Sequence, residues 1–228
     1  MRTEGLKRVV SLSGGKDSTA MLLMLLENGE RVDDVVMFDT GEEFPEMYDH
    51  IDRLERYTGI EFTKLRMDPS FEHLMFVRRL TRGKRESENG YGWPRPNARW
   101  CTARKTQAID KYVKSLGEAE VCVGIACDEK RPTPPQKRYP LVEWGVSEQE
   151  CLDYCKARGF DWGGLYERKK RVSCWCCPLQ SLNDLRVLKE LHPELWTRLK
   201  DMDSLAYNTF RIDYSVEQLE EKFAKEAL

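Results

Sequence analysis

No stretch of the 228 residues approaches the ~20 consecutive apolar positions that a membrane helix needs. No apolar core follows the first residues either, since MRTEGLKRVV runs straight into a strand-like segment. Neither a membrane partner nor a secretory leader is therefore expected, and a cytoplasmic setting is. An excess of one charge is also missing: 37 Lys and Arg stand against 39 Asp and Glu, a net of -2. Global attraction to nucleic acid or to a lipid surface is excluded, and any such affinity must come from local patches. Histidine is scarce. His50, His73 and His192 share no metal-ligand spacing, no Ser-His-Asp constellation is readable, and His192 before Pro193 marks a helix boundary. There is no internal repeat and no low-complexity tract. Two familiar nucleotide loops are absent as well. Walker A needs glycine where Val10 stands and Ser or Thr where Asp17 follows the lysine, and G-x-G-x-x-G occurs nowhere.

What remains is an ordinary globular composition, 40% hydrophobic and 33% charged, long enough for one well-buried domain with a C-terminal appendage. Val9-Val10-Ser11-Leu12 reads as a buried strand and residues 19–26 as the helix after it, stopped at Asn28-Gly29. Val35–Phe38 is a second strand, Pro45 opens a helix carrying Met47, Ile51, Leu54 and Tyr57, and residues 60–65 alternate like a third strand. A helix over 105–116 precedes a strand over 120–125, and further helices are predicted at 147–158, 185–191, 193–202 and 216–227. Strand and helix in alternation predict an α/β fold with an open, mostly parallel twisted sheet and helices on both faces. Residues 82–98 read as a long mobile loop. The character becomes aromatic, basic and cysteine-rich near residue 160, so the expected division is 1–160 for the α/β domain and 161–228 for a cysteine-bearing loop with C-terminal helices.

Ser13-Gly14-Gly15-Lys16-Asp17-Ser18-Thr19 falls between the first strand and the first helix. Such a turn gathers backbone N–H groups at a helix N-terminus, a ready anion site. Gly14 and Gly15 let the backbone approach phosphate oxygens, Ser13, Ser18 and Thr19 carry hydroxyl donors, and Lys16 adds charge. The plainer reading is a tight turn with a capping serine.

The S-G-G-x-D-S pattern matches the signature of the PP-loop ATP pyrophosphatases. Four further stretches resemble the phosphoadenosine phosphosulfate (PAPS) reductase family: Phe38 to Glu46; Arg99-Trp100-Cys101 with Lys105; Gly124 to Glu129 with Arg131; and Tyr139-Pro140-Leu141 with Trp144. The resemblance covers about residues 7–180 and implies the PP-loop, adenine nucleotide alpha hydrolase-like fold. It implies an adenine nucleotide, ATP or PAPS, held with Mg²⁺ by Ser11 to Thr19 and bordered by Phe38, Asp39, Thr40, Gly41 and Gly124. Lys16, Asp17, Lys105 and Arg131 would carry the catalysis, and Arg99 would also reach phosphate. Thioredoxin-dependent members carry a Glu-Cys-Gly-Leu-His nucleophile, whereas no cysteine here follows Cys177. In this the chain resembles phage-borne and DNA-sulfur-modification relatives more closely.

Eight cysteines stand out, because a reducing compartment disfavours disulfides. Cys174-Trp175-Cys176-Cys177 offers C-x-x-C plus one thiol. With Cys101 it resembles the cluster-bearing branch of the family, although that branch places its cysteine doublet in the first motif. Four thiolates suit a 4Fe–4S cluster, with zinc as the alternative; buried thiols packed by Trp175 and Pro178 are the plainer reading. Cys122, Cys127, Cys151 and Cys155 read as small hydrophobes. Arg78, Arg79, Arg82, Lys84 and Arg85 lead to Trp93, Arg95, Arg99 and Trp100, and Tyr166 to Arg171 forms a second basic run. Basic residues interleaved with aromatics suit nucleic acid or a protein partner, against the plainer reading of solvated charge.

The leading expectation is an enzyme that activates an acceptor by adenylylation with pyrophosphate release, with sulfur transfer as one use of the activated product. The alternatives are a sulfonucleotide reductase forming sulfite from PAPS or adenylyl sulfate, and a nucleotide-dependent nucleic-acid-binding subunit without turnover. The acceptor is not readable from sequence, and a homodimer is compatible with everything above.

Overall fold

Four short apolar runs build the sheet: β1 (Lys7–Leu12), β2 (Asp34–Asp39), β3 (Thr63–Arg66) and β4 (Ala119–Val123). All neighbours are parallel, in the order β3-β2-β1-β4, with Val10 beside Val35 on one side and Cys122 on the other. Val9, Val10, Val35 and Val36 are fully buried, as expected of strands covered on both faces. These coordinates come from a computed structural model, which describes residues 6–81, 83–130 and 133–226.

Helix α1 (Lys16–Glu27) joins β1 to β2, and α2 (Pro45–Thr58) lies between β2 and β3. Right-handed crossovers place both on one face, and the return from β3 to β4 beyond β1 takes α3 (Trp100–Ser115) to the other. Tyr112 of α3 accordingly donates to Asp34 Oδ2 at 2.5 Å and lies 3.1 Å from Thr63 Oγ1. The strand order reverses at β1, so the β1–α1 loop and the end of β4 meet at the switch point where such sheets hold ligands. The α/β architecture with an all-parallel open sheet is thus the one expected.

Short helix α4 (Pro140–Trp144) ends at Gly145, and α5 (Glu148–Ala157) starts with a capping box between Ser147 and Glu150. Helices α6 (Leu165–Arg168), α7 (Leu182–Leu191), α8 (Pro193–Leu205) and α9 (Val216–Glu226) follow. No helix among the described residues is long and apolar enough to cross a membrane.

The chain groups into two compact units, each assembled from three stretches. The first holds the sheet and comprises described residues of 6–39, 45–66 and 105–165; the second comprises those of 40–44, 67–104 and 166–226. Part of the expected loop over 82–98 is anchored within the second unit. Gly90 sits so close to Met75 that a Cβ would lie 2.2 Å from its carbonyl oxygen, and Trp93 is buried.

Candidate functional site

In the first unit, β1 delivers the chain to Ser13-Gly14-Gly15 and α1 begins at once at Lys16, three residues before the helix predicted from periodicity. Gly14 has φ +80°, and a Cβ there would stand 2.7 Å from Met47 Sδ and 3.0 Å from Ile51 Cδ1. Both the left-handed backbone and the crowding require glycine. Gly15 is the N-cap, a residue with no side chain to cap the first turn of α1. Ser13 Oγ and Ser18 Oγ lie 2.9 Å apart, Ser18 Oγ donates to the Gly15 carbonyl, and the Gly15 amide reaches Ser13 Oγ at 3.4 Å. The loop is thereby tied into a fixed curve. Ser11 and Leu12 stand in the sheet beside Val36 and Met37.

Lys16 is buried, and its Nζ donates to Asp17 Oδ1 at 3.0 Å and to Glu148 Oε2 at 2.5 Å. Burial works against the ammonium, but Glu148 and Asp17 outweigh it and the Lys16 pKa rises. Burial also raises Asp17, with Lys16 pulling the other way. Glu148 is fixed by its amide, which donates to Asp128 Oδ1 at 2.9 Å. Sequence reasoning missed Glu148, because its pairing with Lys16 spans 132 residues and leaves no local pattern.

Two more residues it missed brace the loop from behind. Trp162 Nε1 donates to the Gly14 carbonyl at 2.8 Å, and the His50 ring stacks on Trp162 with centroids 4.4 Å apart. His50 Nε2 meets Thr19 Oγ1 at 3.0 Å, and burial depresses its pKa to about 3, so the ring is neutral. Thr19 is fully buried with its hydroxyl on this inner side.

At the neighbouring strand ends, Phe38 is buried and Asp39 accepts from Tyr48 Oη at 2.9 Å. A Cβ on Gly124 would lie 2.6 Å from Ser18 Cα, so the end of β4 presses on the start of α1. Lys105 lies on α3 in the same unit. Arg131 lies outside the described residues.

In the second unit, Gly41 follows at φ +82°, and Thr40 Oγ1 donates to Glu43 Oε1 at 3.1 Å and lies 3.5 Å from Cys174 Sγ. Cys174 Sγ also reaches Glu43 Oε1 at 3.4 Å. The four candidate thiols share one neighbourhood: Cys101 with Cys177, Cys174 with both, and Cys176 with Cys174 and Cys177 interact electrostatically. Burial raises all four thiol pKa values, most for Cys174 and Cys176. Gln180 pins the turn by donating to the Trp175 carbonyl at 2.8 Å. Glu42 is buried under Arg198, burial pushes its carboxyl up to about 7, and its Oε2 has no hydrogen-bond partner. Among the described residues, no three His, Cys, Asp or Glu side chains stand at metal-holding geometry.

The basic runs divide. Arg78, Arg79, Lys84, Arg85, Arg95 and Arg99 belong to the second unit, and Arg82 lies outside the described residues. Lys169 is no surface charge, contrary to its place in the second run. It is 2% exposed, its Nζ donates to Gln180 Oε1 and the Asp184 carbonyl at 3.0 Å each, and burial lowers its pKa to about 8.

Among curated proteins, two uncharacterized proteins of Methanocaldococcus jannaschii, MJ0066 and MJ0973, are similar to this chain. They are 26% and 24% identical over 85% and 84% of it. The chain covers 41% and 46% of them, so it spans less than half the length of these relatives. Among solved structures, PAPS reductase from Candida auris, a phosphate complex, aligns over 74% of this chain and 81% of that one, with TM-score 0.51 and 15% identity. The U34-tRNA thiolase NcsA from Methanococcus maripaludis, with its 4Fe–4S cluster, aligns over 88% and 72%, with TM-score 0.48 and 16% identity. A model of the phosphoadenosine phosphosulfate reductase domain matches residues 7–180, a span that holds the glycine loop, the Asp39 strand end and the cysteine turn, and the chain belongs to this family.

Proposed function

We propose that the chain is an adenine-nucleotide enzyme that binds ATP or PAPS in the Ser13–Thr19 loop and activates an acceptor by adenylylation. The observation that carries this reading is the glycine turn at Gly14 and Gly15, which leads directly into the N-terminus of α1 with the buried Lys16 at the switch point of a parallel sheet. An acceptor oxygen attacks the α-phosphorus of ATP, the bond to pyrophosphate breaks, and the acceptor's proton passes to solvent. Lys16, Lys105 and Arg131 would stabilise the charge that develops, and Phe38, Asp39, Thr40, Gly41 and Gly124 would border the nucleotide. Positioning and electrostatics suffice for such a transfer, and no protein nucleophile is needed. Asp17, here paired with Lys16, would supply a hard oxygen ligand for Mg²⁺, which would neutralise phosphate charge.

Cys101, Cys174, Cys176 and Cys177 supply the donor type of a thiolate-held centre and share one neighbourhood, although no three of them stand at metal-holding geometry. Buried thiols resist ionisation, and a metal charge would reverse that preference. A 4Fe–4S cluster, or zinc in its place, would be held by these four residues and would supply soft sulfur ligation.

Incubation with ATP and with PAPS in turn tests the reading. Pyrophosphate from ATP, lost in Lys16→Met, supports it; sulfite from PAPS with no pyrophosphate from ATP overturns it.

A further inference from the structure

The second unit contains a cavity of about 340 Å³ to which the function proposed above assigns no role. Its size lies within the roughly 300–1,000 Å³ range of small-molecule sites. Tyr91, Trp93, Trp100 and Tyr207 line it together with Arg95 and Arg99, and no carboxylate does. The rings are held in place. Trp93 Nε1 donates to Asp203 Oδ1 at 3.0 Å, and the Trp93 amide donates to Asn208 Oδ1 at 2.8 Å. Trp100 Nε1 donates to the Gly92 carbonyl at 3.0 Å and its ring lies 5.6 Å from that of Tyr91. Tyr207 packs over Gly92, where a Cβ would stand 2.2 Å from its ring.

Arg95 lies near Asp203 and favours its carboxylate against the effect of burial, whereas no carboxylate lining the cavity balances Arg99. Arg95 spends its donors on the Thr209 and Phe210 carbonyls, at 2.7 and 3.5 Å, and forms no ion pair among the described residues. Arg99 is exposed and has no carboxylate partner among the described residues. Aromatic rings beside the exposed Arg99 guanidinium, with the Arg85 guanidinium over the Tyr207 ring at 3.2 Å from its centroid, suit a ligand that is planar at one end and anionic at the other. A nucleobase carrying a phosphate has that form, since its ring stacks and its phosphate meets arginine. We infer that this cavity is a separate nucleotide-binding site, taking one base and phosphate of a nucleic-acid single strand or of a free nucleotide. The site does not depend on ATP binding at residues 13–19.

The experiment measures binding by the full chain of a short fluorescein-labelled single strand, as RNA and as DNA, by anisotropy. Unlabelled AMP and UMP serve as direct ligands in calorimetry. Tyr207→Ala and Arg99→Gln change exposed side chains, and thermal melts establish that both variants fold. Losing one stacked ring should weaken binding about tenfold in Tyr207→Ala. Arg99→Gln should lower the slope of log affinity against log salt by about one. Sensitivity to both variants with the strand alone names a strand as the source, and the same sensitivity with the mononucleotides names a free nucleotide. Lys16→Met should leave this binding intact, which separates it from the ATP reading. Parent-like binding by both variants, or no binding of either probe by the parent, overturns the inference.

Discussion

Trp162 donates its indole N–H to the Gly14 carbonyl across 148 residues of chain, so the glycine turn after β1 is fixed from the far end of its unit. Trp162 itself holds φ +53°, a conformation bulky residues seldom adopt. Replacing it with Phe keeps the ring but leaves a buried carbonyl short of its donor, a loss of about 1–3 kcal/mol. The expected outcome is a lowered melting temperature together with weaker ATP binding, both measured on the same preparation.

Gly14→Ala meets two obstacles at once, φ +80° and Met47 Sδ at 2.7 Å. The backbone term alone costs about 1–2 kcal/mol. ATP titration by calorimetry should show binding lost. A variant that binds like the parent would remove the loop from the site.

Lys16→Met should weaken ATP binding about tenfold or more, the worth of a hydrogen bond to a charged group. Glu148→Gln acts in the opposite sense in magnesium-free buffer, because it removes a carboxylate that competes with phosphate for the Lys16 ammonium. Glu148 is 44% exposed at its side chain, so stability should change by less than about 1 kcal/mol.

Acid should unfold the protein partly through His50. Its folded pKa, about 3, is depressed below the ordinary value of 6.5 by burial first and by Arg53 second. The contribution is therefore full above pH 6.5 and is lost as pH falls toward 3, by up to about 1.4 kcal/mol per unit. Denaturant titrations from pH 7 to pH 4 (roughly the span over which the unfolded imidazole gains its proton) should show a shallower decline in His50→Gln.

Thiol labelling of the native protein should order the cysteines by access. Cys127 is exposed and reacts first, whereas Cys151 and Cys155 are fully buried, with burial pushing Cys155 up to about 12. Mass spectrometry after timed alkylation reads the order, and early modification of Cys155 would contradict the packing of α5 on α1.

The sheet was legible because its strands are short apolar runs set off by glycine, so Val9–Leu12 and Val35–Phe38 could be placed from local pattern. The glycine turn between β1 and α1 was legible because glycines and hydroxyls fall together in sequence. Glu148, His50 and Trp162 were not, because each reaches the loop from another element and carries no periodic mark. The Lys169 ammonium looked like surface charge, since a run of basic residues does not tell which member turns inward onto Gln180. Helix α1 starts earlier than its apolar pattern because Lys16 and Asp17 form its first turn as polar residues facing the loop.

The assembly of each unit from three separated stretches bears on how the protein is made. A nascent chain paused after Thr58 already carries α1 and α2 but lacks β4, the strand that flanks β1 on its other side. The second unit waits longer still, for the stretch that begins at Tyr166. Closing such distant segments is slow relative to local pairing. Ribosome-bound intermediates should therefore stay protease-sensitive until late in synthesis, and neither unit can be lifted out by cutting the gene at a single point.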